Sequence, residues 1–419
     1  MGRKEKNIVG LDIGSTKVCT LIAATRDGNS QRDESKSGLE PLGFGLADSK
    51  GVRKGAVVNL EAIVESIKKS VGEAEAMAGC EVETVYVGLA GPHIKSFNSC
   101  GVTPIPTRTR EINGDDVRRV IETARAVALS PDREIIHILP QEFTVDDQCG
   151  IGDPLGMVGT RLEVNVHIVT SSTTAAQNIV TAVNRSGLLA ADTVLESIAA
   201  GEAILSGDEK ELGCVLVDIG GGKTNIAIYH HGAVRHSAVV PLGGELFTND
   251  IAVGLRTSIP EAERIKREQG CALASMSEGD KVFEVSGMGG RHPRTIAQTV
   301  LSDILQPRAE EIVHLVRNEI RSAGFERQTG AGVVFTGGGA MLHGFVELAE
   351  EILDLPVRIG TSAGFSESLL EKMPQLMGPE LATATGLVLY GERRRKTHDF
   401  HQNSNSGLKK LAAKFRSFL

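Results

Sequence analysis

The chain has 419 residues, 41% of them apolar and 23% charged, with a formal net charge of −8; this is a globular composition, and it excludes a disordered chain or a body built to bind nucleic acid. Its six cysteines, Cys19, Cys80, Cys100, Cys149, Cys214 and Cys271, never form a Cys-x-x-Cys pair, which removes the usual zinc and redox signatures and reads as buried, reduced thiols. No stretch approaches the roughly 20 apolar residues that cross a bilayer, so a cytoplasmic location is expected.

The basic start Arg3, Lys4 and Lys6 does not read as a signal peptide, because Asp12 and Lys17 interrupt the apolar run behind it. That run, 8–13, predicts a strand, Gly14-Ser15-Thr16 a turn, and 18–22 a second strand. From about Val82 to Ser171 the pattern changes to a helix over 115–129 and β-rich stretches over 134–146 and 165–171, which predicts an inserted subdomain. Within it His93, His137 and His167 lack metal-ligand spacing and read as structural. A helix is expected over 197–205. A near-copy of the first hairpin follows: strand 215–219, turn Gly220-Gly221-Gly222-Lys223-Thr224, strand 225–229. Asp218 precedes this turn as Asp12 precedes the first, 206 positions earlier, and such a repeat predicts two equivalent halves. Helices are expected over 246–255, over 260–269 with proline in its first turn, and over 295–323. The third glycine cluster, Gly337-Gly338-Gly339, stands between a strand over 333–336 and a helix over 344–353. Residues 392–407 lack periodicity and predict a flexible linker. The division expected is 1–82, 83–170, 171–212 and 213–390, then a linker over 391–407 and a tail helix over 408–419.

Turns of glycine and small hydroxyl residues let backbone N–H groups approach phosphate oxygens unobstructed. Two such turns can grip one triphosphate, and an aspartate at the end of each strand can hold a hydrated Mg²⁺. Asp12 and Asp218 are the candidate metal ligands and catalytic acids.

These motifs resemble the actin, heat-shock-70 and sugar-kinase ATPases. Their two phosphate motifs look like Asp12-Ile13-Gly14-Ser15-Thr16-Lys17 and Asp218-Ile219-Gly220-Gly221-Gly222-Lys223-Thr224, and their adenosine motif looks like Phe335-Thr336-Gly337-Gly338-Gly339-Ala340. The small-residue segments 195–201 and 382–387 resemble the two connecting helices, which would cross at a hinge. The resemblance implies ATP with Mg²⁺, phosphate contacts from Gly14, Ser15, Thr16, Lys17, Gly220, Gly221, Gly222, Lys223 and Thr224, and a role for Glu196 in orienting the attacking water. Read alone, Glu196 is equally an acid favoured at a helix N-terminus. Gly243 and Gly244 resemble a further turn facing phosphate. Glu263, Lys266 and Arg267 resemble the ribose and adenine contacts, against the plainer reading of a solvated helix face.

The inserted block and the tail narrow the resemblance to the FtsA family of bacterial cell-division proteins, from Ile8 to the last residue. The fold implied is α/β and actin-like: a two-lobed ATPase fold of the ribonuclease H-like class, with an inserted α+β subdomain. Partners implied are FtsZ, whose C-terminal tail would dock on the part spanning about 241–330, further copies of the chain in a filament, and other division proteins on the insertion. Lys223 and Asn225 depart from the family pattern of a small hydroxyl and an aspartate. Lys223 adds a phosphate contact or slows hydrolysis, so the implied activity is ATP binding with at most weak turnover.

Residues 391–419 carry eight Lys or Arg against two acids, a net +6 on an otherwise acidic chain. On a helical wheel Leu408, Leu411, Phe415, Phe418 and Leu419 share one face with Ala412, and Lys409, Lys410, Lys414 and Arg416 lie off it. Burying the five large side chains is worth roughly 7–15 kcal/mol gross before ordering costs. The tail reads as a reversible anchor to anionic lipids on the cytoplasmic face of the membrane, which the family resemblance implies is at midcell; the alternative is a helix docked on the chain's own body. The rival function is a small-molecule kinase of the same superfamily, which needs an acceptor pocket and no membrane helix.

Overall fold

The apolar run before the first glycine turn folds as β1 (Ile8–Ile13) and the run after it as β2 (Lys17–Thr25), an antiparallel pair with Ile8 opposite Ala23 and Ile13 opposite Val18. The computed structural model describes residues 7–25, 39–106, 111–287, 292–362, 365 and 373–403. β3 (Leu39–Asp48) extends the pair on one side, and β6 (Thr84–Leu89) and β11 (Leu189–Leu195) extend it in parallel on the other, giving the order β11-β6-β1-β2-β3. A short ribbon of β4 (Val52–Arg53) and β5 (Ala56–Val57) lies outside this sheet. The first lobe is completed by α1 (Leu60–Ala78), capped by Asn59, and α3 (Thr173–Arg185), whose buried Ile63, Ile67, Ile179 and Val183 share a core with Leu11, Val85 and Val87. Gly45 brings α1 down onto β3, since a Cβ there would lie 1.9 Å from the Ser70 carbonyl oxygen.

The second lobe repeats the plan. β12 (Cys214–Ile219) pairs antiparallel with β13 (Thr224–His230) and parallel with β17 (Val333–Thr336), in the order β14-β13-β12-β17-β18 with β14 (Ala233–Val240) and β18 (Val357–Ile359) at the edges. Helices α6 (Gly244–Gly254), α7 (Ile259–Gln269), α8 (Gln298–Ser322) and α9 (Phe345–Leu353) build the largest core around Phe247, Phe335 and Phe345, whose rings meet edge to face. A ribbon of β15 (Val282–Val285) and β16 (Arg294–Ala297) precedes α8, so the first residues of the helix expected over 295–323 are strand.

Between the halves stands a sheet of order β7-β10-β8-β9, made of β7 (Lys95–Pro104), β8 (Arg133–Val145), β9 (Gln148–Ile151) and β10 (Arg161–Ser172). One face is covered by α2 (Gly114–Arg125), held by an Asn113–Asp116 capping box. Cys100 of β7 and Cys149 of β9 are exposed, against the expectation of buried thiols. The boundary expected at 83 needs correction. Residues 84–89 form β6, a central strand of the first lobe with Val85 and Val87 fully buried, so the insertion begins after it.

The lobes are joined by α4 (Glu196–Ile204), followed by the short α5 (Gly207–Leu212), and by α10 (Ala382–Asn403). A Cβ on Gly386 would lie 1.7 Å from the Ala199 carbonyl oxygen, so the α4–α10 crossing requires glycine. The linker expected from 391 is helical as far as Asn403. Arg393 pairs with Glu202 at 3.0 Å, Arg394 with Asp192 at 3.3 Å and Lys396 with Glu392 at 2.7 Å, contacts that hold a helix without apolar periodicity. The tail helix over 408–419, with Leu408, Leu411, Phe415, Phe418 and Leu419, lies outside the described residues. Among the described residues no helix is long and apolar enough to cross a membrane.

Candidate functional site

The two hairpin turns meet across a cleft of about 770 Å³ between the lobes. Both close in the same way, Gly14 N–H to the Lys17 carbonyl and Gly220 N–H to the Lys223 carbonyl, each at 2.9 Å. Their tips touch. A Cβ on Gly221 would lie 2.4 Å from Thr16 Cγ2, and one on Gly222 2.6 Å from Ser15 Oγ. The third turn closes on the same point, because Gly337 has φ of 82° and a Cβ there would lie 2.5 Å from Asp218 Oδ1.

Asp12, Gly14, Ser15, Thr16, Lys17, Glu196, Asp218, Gly220, Gly221, Gly222, Lys223, Gly244, Glu263, Lys266, Arg267, Gly337, Gly338 and Gly339 all line this cleft. Thr224 and Gly243 do not. Thr224 is buried and its hydroxyl donates to the Leu242 carbonyl at 2.8 Å. Gly243 packs beneath the second turn, where a Cβ would lie 2.5 Å from the Gly220 carbonyl oxygen. The N–H groups of Gly244 and Glu245 donate to the Gly220 and Gly221 carbonyls at 2.8 Å, so the start of α6 braces the turn and its first amides are already used.

Carboxylates crowd the floor. Burial, and then the charge of Glu196, pushes Asp12 up to about 7 and Asp218 up to about 6, against the opposing pull of Lys223 and Lys17. Lys17 donates to the Glu380 carbonyl at 2.7 Å. Lys223, expected among the phosphate contacts, points elsewhere: its buried Nζ lies 2.8 Å from Glu196 Oε1 and 3.1 Å from the Ala90 carbonyl oxygen. Asn225 Nδ2 donates to Glu196 Oε2 and Asp218 Oδ2, both at 3.0 Å.

Two features fit a bound phosphate and a divalent cation. The Ser15 hydroxyl is buried in the first turn with no hydrogen-bond partner. Asp12 and Asp218 are raised by burial and by the charge of Glu196, and a divalent cation at this point would offset both. Among the described residues no group of three or more His, Cys, Asp or Glu side chains forms a metal cage.

On the far wall Glu263 accepts from Lys266 at 2.6 Å, Thr248 at 2.5 Å and Arg267 at 2.7 Å. Although burial pushes its carboxyl up, these bonds hold it at about 2. Lys266 Nζ also donates to the Gly244 carbonyl at 3.2 Å, tying α7 to α6. The sequence reading missed Met341, Leu342, Gln298 and Glu380 in the cleft lining. Met341 and Leu342 follow the third glycine turn after Ala340, and two apolar residues there were a usable signal for apolar contact in the cleft. Nothing local announced Glu380, whose carbonyl meets Lys17 across 363 residues of chain.

A family model described as "Cell division protein FtsA" matches residues 215–386, and one described as "SHS2 domain inserted in FTSA" matches residues 91–170. The cell division protein FtsA of Pseudomonas aeruginosa is 44% identical over 391 residues, covering 93% of this chain and 90% of its own. The chain belongs to the FtsA family of cell-division proteins. The SHS2 match begins at 91, just after β6, in accord with the corrected boundary of the insertion. Among solved structures, a chain of the PilM-PilN type IV pilus biogenesis complex superposes with a TM-score of 0.65 at 18% identity, covering 92% of this chain and 99% of that one. MreB5 of Spiroplasma citri bound to ADP superposes with a TM-score of 0.56 at 14% identity, covering 95% of this chain and 99% of that one. The fold of this FtsA-family chain is actin-like, with an SHS2 domain inserted in its first lobe.

Proposed function

We propose that this FtsA-family chain binds ATP with Mg²⁺ in the interlobe cleft, polymerises on the cytoplasmic face of the membrane at midcell, and anchors FtsZ filaments there. The observation that carries the nucleotide site is the pair of matched turns meeting over two acids raised by burial, with the Ser15 hydroxyl unpartnered between them. Bound Mg-ATP brings phosphate oxygens to the glycine turns and the Ser15 hydroxyl, and a cation to the two acids. Gly14, Ser15 and Thr16 on one side and Gly220, Gly221 and Gly222 on the other hold the phosphates, with Lys17 adding charge. Asp12 and Asp218 hold the hydrated Mg²⁺. Glu263, Lys266 and Arg267 face the ribose and base, and Met341 and Leu342 supply apolar contact. A fold neighbour, MreB5, was solved with ADP, which supports a nucleotide of this class. Glu196, the third acid on the floor, is the group to orient a water in what turnover there is.

The FtsZ tail is assigned to the part spanning about 241–330, other division proteins to the insertion, and the anionic membrane surface to the tail helix over 408–419. One copy of that helix binds reversibly, and a polymer presenting many copies holds firmly. Calorimetry tests the core of this reading: the protein takes up Mg-ATP, and Asp12→Asn with Asp218→Asn abolishes Mg²⁺-dependent uptake. Unaltered binding in the double variant overturns the site.

A further inference from the structure

Lys223 stands where the sequence leads one to look for a phosphate contact, yet its ammonium is spent inside the protein. It leaves the turn between β12 and β13 in the second lobe and reaches two groups of the other half. One is the carbonyl of Ala90, where the chain leaves β6, and the other is Glu196 Oε1 at the start of hinge helix α4. Both side chains are buried, Lys223 at 4% exposure and Glu196 at 4%. The second oxygen of Glu196 accepts from Asn225, whose amide also reaches Asp218. Gly88 makes room for this, since a Cβ there would lie 3.1 Å from Glu196 Cγ.

Hydrolysis of a nucleoside triphosphate needs a water oxygen aligned with the γ-phosphorus. As the bond from that oxygen to phosphorus forms, the bond from phosphorus to the β–γ bridging oxygen breaks, leaving the diphosphate and inorganic phosphate, and the water's proton passes to a phosphate oxygen. A carboxylate assists by accepting a hydrogen bond from that water, and for this it needs an oxygen free to face it. Asp12 and Asp218 stand at the strand ends against the turns, which leaves Glu196 for the task. Both of its oxygens are bonded to the chain, one of them to an ammonium in a charge-assisted contact.

Resting on the nucleotide-binding reading above, we propose that Lys223, together with Asn225, is a positioning residue that withholds Glu196 from water and staples the two lobes, so that a bound triphosphate is kept rather than hydrolysed. Three observations converge on it: a buried carboxylate with each oxygen already bonded to the second lobe, an ammonium buried between Glu196 and Ala90, and the direct contact of the two turns beside it.

The test uses full-length protein and four variants: Lys223→Thr, Lys223→Arg, Asn225→Ala and Lys223→Thr with Glu196→Gln. Lys223→Thr is expected to raise the steady-state Mg-ATP hydrolysis rate about tenfold while the calorimetric ATP affinity stays within about threefold. Lys223→Arg keeps the low rate, and the double variant returns to it. A second readout needs no nucleotide. Hydrogen exchange of ligand-free protein should show lost protection around Ala90 and at the start of α4 in Lys223→Thr, with protection retained in Lys223→Arg. Asn225→Ala frees one oxygen of Glu196 with the ion pair intact and decides the matter if Lys223→Thr does not fold; its rate should also rise. An unchanged rate in a folded variant that still binds ATP overturns the inference alone, as does a gain that survives Glu196→Gln. No ATP uptake by the unsubstituted protein overturns the underlying reading and this one with it.

Discussion

At the scale of single residues, the cleft floor sets three acids, Asp12, Glu196 and Asp218, against two lysines, Lys17 and Lys223. Asp12 is raised from the ordinary 3.8 to about 7 and Asp218 to about 6, burial being the first cause in each. A carboxyl raised in the folded state contributes stability that is complete below its unfolded value and is lost as pH rises through the folded one. Ligand-free protein therefore gives up stability between pH 4 and 7 at this site. Asp12→Asn removes the titrating group, and at pH 8 it should stabilise ligand-free protein by about 1–3 kcal/mol while abolishing stabilisation by Mg-ATP. Thermal melts at pH 5 and pH 8 check this, and a variant less stable than the parent at pH 8 contradicts it. Asp12 and Asp218 were legible because each ends an apolar strand run at a glycine turn. The partners of Lys223 were not, since no local pattern points a lysine across a cleft at a glutamate 27 positions earlier.

At the scale of elements, glycine decides where helices and turns approach. Gly386 of α10 has the Ala199 carbonyl oxygen 1.7 Å from the place of a Cβ, backbone against backbone, with no side chain to yield. Gly386→Ala should cost at least about 2 kcal/mol by forcing α10 and α4 apart. Gly72 of α1 has nothing within 4 Å of that place. Gly72→Ala should stabilise by about 0.5–1 kcal/mol through helix propensity. Chemical denaturation of both variants reads the contrast, and equal effects would show that the crossing is not tightly packed. The small residues of 195–201 and 382–387 signalled this crossing in sequence. Two other elements misled. Residues 84–89 fall inside the expected insertion, and only the parallel pairing of β6 with β1 and β11 assigns them to the first lobe. The stretch of α10 from residue 391 on reads as linker in sequence, and the ion pairs of Arg393 with Glu202 and of Arg394 with Asp192 come from distant chain.

Over the whole molecule, the insertion is fastened to the second lobe as well as the first. His167 bridges Asn98 Oδ1 at 2.7 Å and Ser237 Oγ at 2.9 Å, Ser96 donates to the Ser237 carbonyl at 2.6 Å, and Gln141 donates to the Val234 carbonyl at 2.9 Å. Burial pushes His137 down to about 4 and His167 down to about 3. A histidine lowered in the folded state contributes stability that is complete above its unfolded value near 6.5 and is lost as pH falls through the folded one. The attachment of the insertion should weaken below pH 6.5, the reverse of the cleft acids. His167→Gln, which still hydrogen-bonds but does not titrate, should flatten the fall in melting temperature between pH 6.5 and 4. An unchanged slope excludes His167 as a source. The tail belongs to the same scale, as a cationic segment on an acidic body. Removal of 408–419 should abolish sedimentation with anionic vesicles, and for the intact chain added salt should weaken it; sedimentation that survives truncation removes the anchor.

By itself, the sequence determined what local physics encodes: two apolar strand–glycine turn–strand hairpins with an acid before each turn, and a third glycine turn after a buried strand. Strand propensity, glycine's freedom and side-chain periodicity act within a few residues, so they are readable in one dimension. Tertiary structure alone decided that the turns meet, that β6 belongs to the first lobe, that Lys17 answers to Glu380, and that Lys223 is spent on Glu196 and Ala90. Those outcomes depend on distances between groups far apart in the chain, and burial and charge acquire their energies only once packing has set such distances.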